Sequence, residues 1–250
     1  MTARRVLLLV LIAAAVSFPL GAARKLWVLD EARYAAVVEE MHDTGRWFAP
    51  HLNGQFYDHK PPLYFWLVGT LTSATGQSEF LLYTIAWLLS LACVIATYFL
   101  LRELLPERVA LLASVVMASS FLYAITTGIA RMDLMMLCFM VLGLGTLVRG
   151  YLLGERGRYV WFFVFCALAV LTKGPYGLLL PLIGVLAFLA WERRLSEAVS
   201  SQFVIGFFGA LAIIAAWLAG VVAVEGRCVL DLYINKQTFG RARELCGSSD

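Results

Sequence analysis

The chain has 250 residues, 61% of them hydrophobic and 15% charged. Soluble domains hold about 45–50% apolar and about 25% charged residues, so this composition excludes a soluble globular protein and places the chain in the membrane class. A net charge of +3 supplies no basic field for nucleic acid.

A membrane-spanning helix needs ~20 apolar residues. Candidate spans fall at about 6–23, 79–101, 108–127, 133–149, 159–172, 175–191 and 203–224. The first follows Arg4 and Arg5 and is not followed by a small-residue cleavage pattern, so it reads as a retained anchor.

Residues 24–78 form the most polar part of the chain. From Asp30, apolar residues recur at Tyr34, Val37, Val38 and Met41, the spacing of an amphipathic helix. Asp30 suits its N-cap and Gly45 its C-terminal stop. Glu39, Glu40 and Asp43 make the polar face acidic, whereas a helix seated on anionic lipid is basic. This helix is expected to lie flat and pack on protein. Asn53-Gly54 signals a turn. Trp47, Phe48, Phe56 and Tyr57 suit a membrane interface, and His42 and His51 read as surface residues. Lys60 precedes Pro61-Pro62 and is held in an extended, non-helical backbone.

The run Pro61–Gly76 is short and diluted by Thr and Ser. Charge bias decides whether it spans, because cytoplasmic loops collect Lys and Arg. With seven spans and a cytoplasmic N-terminus, the inner segments hold Arg4, Arg5, Arg102, Arg156, Arg158, Arg193 and Arg194. An eighth span would turn Arg156 and Arg158 outward. The seven-span arrangement also puts residues 24–78, "GIARMD" (Gly128–Asp133) and "LTKGP" (Leu171–Pro175) on one side of the membrane. Cys93, Cys138 and Cys166 read as small buried hydrophobes. Cys228 and Cys246 lie outside the runs and give only a weak disulfide signal.

The stretch "DEARYAAVVEEMHDTGRWFAPHLNGQFYDHKPPLYFW" (Asp30–Trp66) resembles the first periplasmic loop of bacterial aminoarabinose transferases. These group with the protein O-mannosyltransferases among the C-type glycosyltransferases that use polyprenyl-phosphate sugars. "ARMDL" and "LTKGP" resemble later motifs of that family. The resemblance covers essentially the whole chain, although family members are about twice as long, so the chain resembles their N-terminal half. It implies an all-α polytopic protein of about seven transmembrane helices, with flat juxtamembrane helices in the first periplasmic loop (24–78) and residues 1–250 forming one membrane module. The implied place is the bacterial inner membrane, with the active face periplasmic.

The implied reaction moves a sugar from a polyprenyl-phosphate carrier to a lipid, protein or glycan acceptor, without nucleotide cofactor or nucleic acid. Asp30 matches the family's catalytic aspartate, although spacing alone gives it only the N-cap role. Asp133 matches an aspartate of the second outer loop and is the second catalytic candidate; its plain alternative is a carboxylate favoured by the helix dipole. Lys60 matches a lysine placed at the donor phosphate. Arg33, Arg131 and Lys173 are further phosphate-binding candidates, set against snorkelling or helix-end roles. His59 stands where the relatives commonly have a metal-binding Glu. With Asp58 and Glu31 it forms a candidate site for a divalent metal: zinc by imidazole preference, magnesium or manganese by carboxylate preference.

A transporter is the competing class. Transporters place ionisable groups or broken helices at the midplane, often within inverted repeats. The seven runs have no interior charge and no evident repeat. An inactive fragment of the transferase is the third reading.

Overall fold

The computed structural model describes residue 4 and residues 7–15, 29–76 and 79–226. Residues 7–15 are helical and lie within the first expected span. The remainder of that span, Cys228, Cys246 and everything after Gly226 fall outside the described residues.

Helix α1 (Leu29–Thr44) forms where the periodicity places it. Tyr34, Val37, Val38 and Met41 are all buried, each contributing about 1.5–3 kcal/mol as its side chain leaves solvent. Gly45, at φ +69°, ends the helix, and its amide donates to the Met41 carbonyl. Asp30 is not the N-cap. The helix already includes Leu29, so Asp30 sits in the first turn, where a carboxylate still meets the positive end of the dipole.

Strands β1 (His51–Leu52) and β2 (Gln55–Phe56) form a hairpin around Asn53-Gly54. Asn53 (φ 55°) and Gly54 (φ 75°) are both left-handed, as a two-residue hairpin turn of the primed type requires. The Gly54 amide donates to Glu40 Oε1 at 3.0 Å, tying the hairpin to α1.

Helix α2 (Leu63–Thr75) has 13 residues. Its length of about 20 Å falls short of the ~30 Å hydrocarbon core. It buries Tyr64, Phe65 and Val68 in the cluster that holds the apolar face of α1. The Pro61–Gly76 run is therefore a short helix packed on α1, as expected of a helix that does not cross.

The bundle follows: α3 (Glu79–Leu104), α4 (Glu107–Ser119), α5 (Phe121–Thr127), α6 (Asp133–Leu153), α7 (Arg158–Lys173), α8 (Tyr176–Trp191), a 3₁₀ turn (Leu195–Val199) and α9 (Ser201–Glu225). An apolar helix stands at each expected position from 79 onward. Three are long and apolar enough to cross a membrane, and the α4–α5 pair, bent by 64°, makes a fourth. Helices α7 and α8 have 16 residues each, about 24 Å. The chain is a multi-pass helical membrane protein; the described helices do not by themselves establish seven crossings.

Close approaches between α7 and its neighbours use glycine, as membrane helices do. A Cβ on Gly177 would stand 2.5 Å from the Ala169 backbone, and one on Gly206 would stand 2.7 Å from the Phe163 ring. Cys93, Cys138 and Cys166 are free and buried, as their setting predicts.

Candidate active site

Three separate parts of the chain meet at one end of the bundle. The first turn of α1 brings Asp30 and Arg33. The segment between α5 and α6 brings Arg131, and the first residue of α6 is Asp133. The last residue of α7 is Lys173.

Their side chains form one continuous row. Arg33 Nη1 lies 3.6 Å from Asp30 Oδ1. Arg131 Nη2 lies 2.9 Å from Asp30 Oδ2, and its Nε lies 3.5 Å from Asp133 Oδ2. Lys173 pairs with Asp133 Oδ1. All five side chains are partly exposed, so the row is open to a ligand. The Arg131 Nε and the Asp133 Oδ2 are buried atoms without a hydrogen-bond partner. They face each other across the 3.5 Å ion pair.

Glu31 turns the other way. It is buried, and its Oε1 accepts the Ala130 amide at 2.8 Å across 99 positions of sequence. That bond fixes the backbone one residue before Arg131. Ala130, Met132 and Met135 pack in the same apolar cluster as Tyr34, Tyr57 and Tyr64, so the row rests on a rigid floor.

Arg33 also faces a cleft of about 650 Å³ shared with the hairpin and with Tyr57, Asp58 and His59. It donates to the Tyr57 hydroxyl, which burial nonetheless raises above its ordinary pKa. The Tyr34 hydroxyl is pushed higher still, first by burial and then by the Asp30 carboxylate. Both phenols therefore stay protonated near neutrality and can act as hydrogen-bond donors.

His59 Nδ1 lies 2.6 Å from Oδ1 of buried Asp58, and its ring stacks on Tyr57 at 5.3 Å. Glu31 does not join them, being bonded to Ala130. No group of three or more His, Cys, Asp or Glu arranged to hold a metal occurs among the described residues. Lys60 follows in non-helical backbone, half-buried ahead of buried Pro61 and Pro62, as the proline pair predicts.

Two expectations need correction. His51 is not a surface residue. It is 3% exposed, with Nδ1 at 2.7 Å from the Ala49 carbonyl and Nε2 at 3.4 Å from Glu225 Oε2. The reason is that the hairpin docks on the end of α9, where Ala49, Leu171, Trp217 and Val221 form a cluster. The interfacial reading of the loop aromatics also fails in part. Tyr57 is buried and Trp47 packs against Gly69, whereas Phe48, set against Gly220, stays exposed. Tyr57 and Tyr34 were missed as parts of the site. Tyr34 shared the helical period of the core face, and no local signal separates the two uses.

Residues 59–219 match the family described as dolichyl-phosphate-mannose-protein mannosyltransferase. An undecaprenyl phosphate-alpha-4-amino-4-deoxy-L-arabinose arabinosyl transferase of Pseudomonas fluorescens is 30% identical over 237 residues, covering 91% of this chain and 42% of the relative. Its counterpart in Pseudomonas aeruginosa strain UCBPP-PA14 is 29% identical over 198 residues, covering 77% of this chain and 35% of the relative. The fold matches ArnT from Cupriavidus metallidurans bound to undecaprenyl phosphate, with a TM-score of 0.82 at 21% identity over 94% of this chain and 44% of that one. It also matches the Saccharomyces cerevisiae protein O-mannosyltransferase Pmt1-Pmt2 complex bound to the sugar donor, with a TM-score of 0.63 at 17% identity over 94% of this chain and 34% of that one. The chain spans less than half the length of these relatives.

Proposed function

Because the chain belongs to the dolichyl-phosphate-mannose-protein mannosyltransferase family, we propose that it is the membrane module of a glycosyltransferase. The donor is a sugar on a polyprenyl phosphate, and the acceptor is a hydroxyl or phosphate of a lipid, protein or glycan. Residues 1–250 act as one module, with 24–78 as a periplasmic loop at the outer face of the bacterial inner membrane and the N-terminus in the cytoplasm. No nucleotide enters the reaction.

One observation carries this reading: the row Arg33–Asp30–Arg131–Asp133–Lys173, assembled from three distant segments at one end of the bundle. The chemistry needs a carboxylate beside the acceptor and cations beside the departing phosphate. Asp30 takes the first role, accepting or orienting the acceptor proton, a contribution of typically 10²–10⁴-fold. Arg33, Arg131, Lys173 and Lys60 take the second. Fixed cations aimed at developing phosphate charge stabilise the transition state without reorganising. Asp133 holds Arg131 and Lys173 in place between them.

The Asp58–His59 pair fits a divalent metal in part. With its Nδ1 proton donated to Asp58, His59 keeps Nε2 as a ligand, the carboxylate–histidine arrangement common at metal centres. Such an ion would add positive charge for the donor phosphate. A transporter is less well supported, because the described ionisable residues gather at the bundle ends.

The test is Asp30→Asn in a chain competent for transfer. Sugar transfer from an undecaprenyl-phosphate donor should fall at least ~100-fold while membrane insertion is unchanged. Retention of more than roughly a tenth of the rate would remove Asp30 from the general-base role. The helix itself should lose little, since a first-turn carboxylate meeting the dipole contributes only about 0.3–1 kcal/mol.

A further inference from the structure

A second ligand-shaped feature lies at the opposite end of the bundle. Arg149 is sixteen residues along α6 from Asp133, about 24 Å away, and Arg158 is fifteen residues along α7 from Lys173, about 22 Å. There α3, α6 and the start of α7 enclose a groove of about 290 Å³. Its walls are hydrocarbon, including Phe99, Leu100, Leu142 and Gly145. Its end holds Glu103, Arg149 and Arg158.

Arg149 and Arg158 face Glu103 and Glu155 at this end, and Arg102 beside them leaves one positive charge in surplus at the mouth of an apolar slot. Arg149 Nη1 lies 3.3 Å from Glu103 Oε1, and Arg158 Nε pairs with Glu155. Each pair engages one N–H of a guanidinium that has five, and both arginine side chains are exposed. Arg102 adds a third cation beside the groove, stacked over the Tyr98 and Phe99 rings at 5.6 and 5.7 Å. An occupant must have a hydrocarbon body and a negative head, placed at the level where a bundle end meets the membrane surface.

We propose that this groove binds one acyl chain of an anionic phospholipid of the phosphatidylglycerol type, with its phosphate on Arg149 and Arg158. Arginine forks match phosphate oxygens in pairs, and the excess positive charge disfavours a head group carrying its own ammonium. The site lies in the leaflet opposite the ion-paired row. It does not depend on the transferase reading, since no residue is shared.

Native mass spectrometry of the purified chain tests this, with phosphatidylglycerol, phosphatidylethanolamine and phosphatidylcholine added separately. The expected result is one retained phosphatidylglycerol, with at least a tenfold preference over either zwitterionic lipid. Arg149→Gln with Arg158→Gln should abolish the preference. Gly145→Leu should reduce retention of every lipid, because a side chain there grows into open groove, its Cβ 3.9 Å from that of Leu100. Circular dichroism establishes that each variant is folded; if Gly145→Leu is not, the arginine pair alone decides. Equal retention of the three lipids, an unchanged preference in the arginine variant, or no retained lipid at all would each overturn the proposal. The last outcome would mean that other protein fills the groove.

Discussion

Glu31→Ala offers a sharp trial of how the site is built. The native carboxylate is buried and accepts the Ala130 amide at 2.8 Å. Truncation strands that amide, at about 1–3 kcal/mol. It also removes one buried methylene, at about 0.8 kcal/mol. The loss is therefore about 2–4 kcal/mol, and it falls on the Gly128–Met132 segment that presents Arg131 to Asp30. Since 1.4 kcal/mol is tenfold in an equilibrium, a 2 kcal/mol loss would lower the fraction of correctly set loops by about 30-fold relative to open ones. Sugar transfer should fall at least tenfold, and amide hydrogen exchange at residues 128–132 should quicken. Glu31→Gln keeps an acceptor oxygen and should restore most of the protection. An Ala variant with native exchange at Ala130 and native transfer would refute the reasoning, because the bond would then not hold the loop.

The other expectations concern orientation, phosphate and metal. Reporter fusions at Gly76 and Gly240 should read periplasmic and one at Gly157 cytoplasmic; a cytoplasmic signal at Gly76 would make α2 a crossing. Lys60→Ala should weaken donor binding, seen as a raised KM for the lipid-phosphate sugar; an unchanged KM would remove Lys60 from the phosphate site. His59→Ala should lower metal content and rate together, while His59→Glu should keep activity and shift preference towards harder ions. Full activity in both variants, with no metal found by elemental analysis, would make His59 an ordinary loop residue.

Much of this arrangement is legible in the sequence. The period of Tyr34, Val37, Val38 and Met41 located α1 and its buried face. Asn53-Gly54 located the hairpin turn. The charge bias of the short loops predicts Asp30, Arg131, Asp133 and Lys173 on one side, and the fold brings these four together. Their pairing order was not legible, because the Asp30–Arg131 and Asp133–Lys173 pairs, 101 and 40 positions apart, leave no local pattern. Glu31 shows the limit clearly. It stands beside Asp30 and looks like another metal-binding carboxylate, yet the helical twist turns it about 100° away from its neighbour, into the core and onto Ala130. His51 was misread for a related reason. Nothing around it in sequence announces that Glu225, 174 positions later, closes over the hairpin.

The balance of charge in the row also bears on how such a site would work. Arg33, Arg131 and Lys173 face Asp30 and Asp133, leaving one net positive charge. A sugar bound to a polyprenyl phosphate is a phosphodiester with a single negative charge. When the sugar departs, the phosphate becomes a monoester carrying about −1.5 to −2 at neutral pH. A row with one surplus charge matches the donor, whereas the departing phosphate demands more. That demand is met if phosphate oxygens draw Arg131 and Lys173 away from the aspartates, and Lys60 adds a further cation. Stabilisation then grows along the reaction coordinate, the condition for catalysis as opposed to tight ground-state binding. The same shift loosens Arg131 from Asp30 Oδ2, freeing that oxygen for the acceptor proton as the leaving group takes up its charge. Under the proposed function, the ion pairs would hold the site in order while empty and would yield to the phosphate on binding.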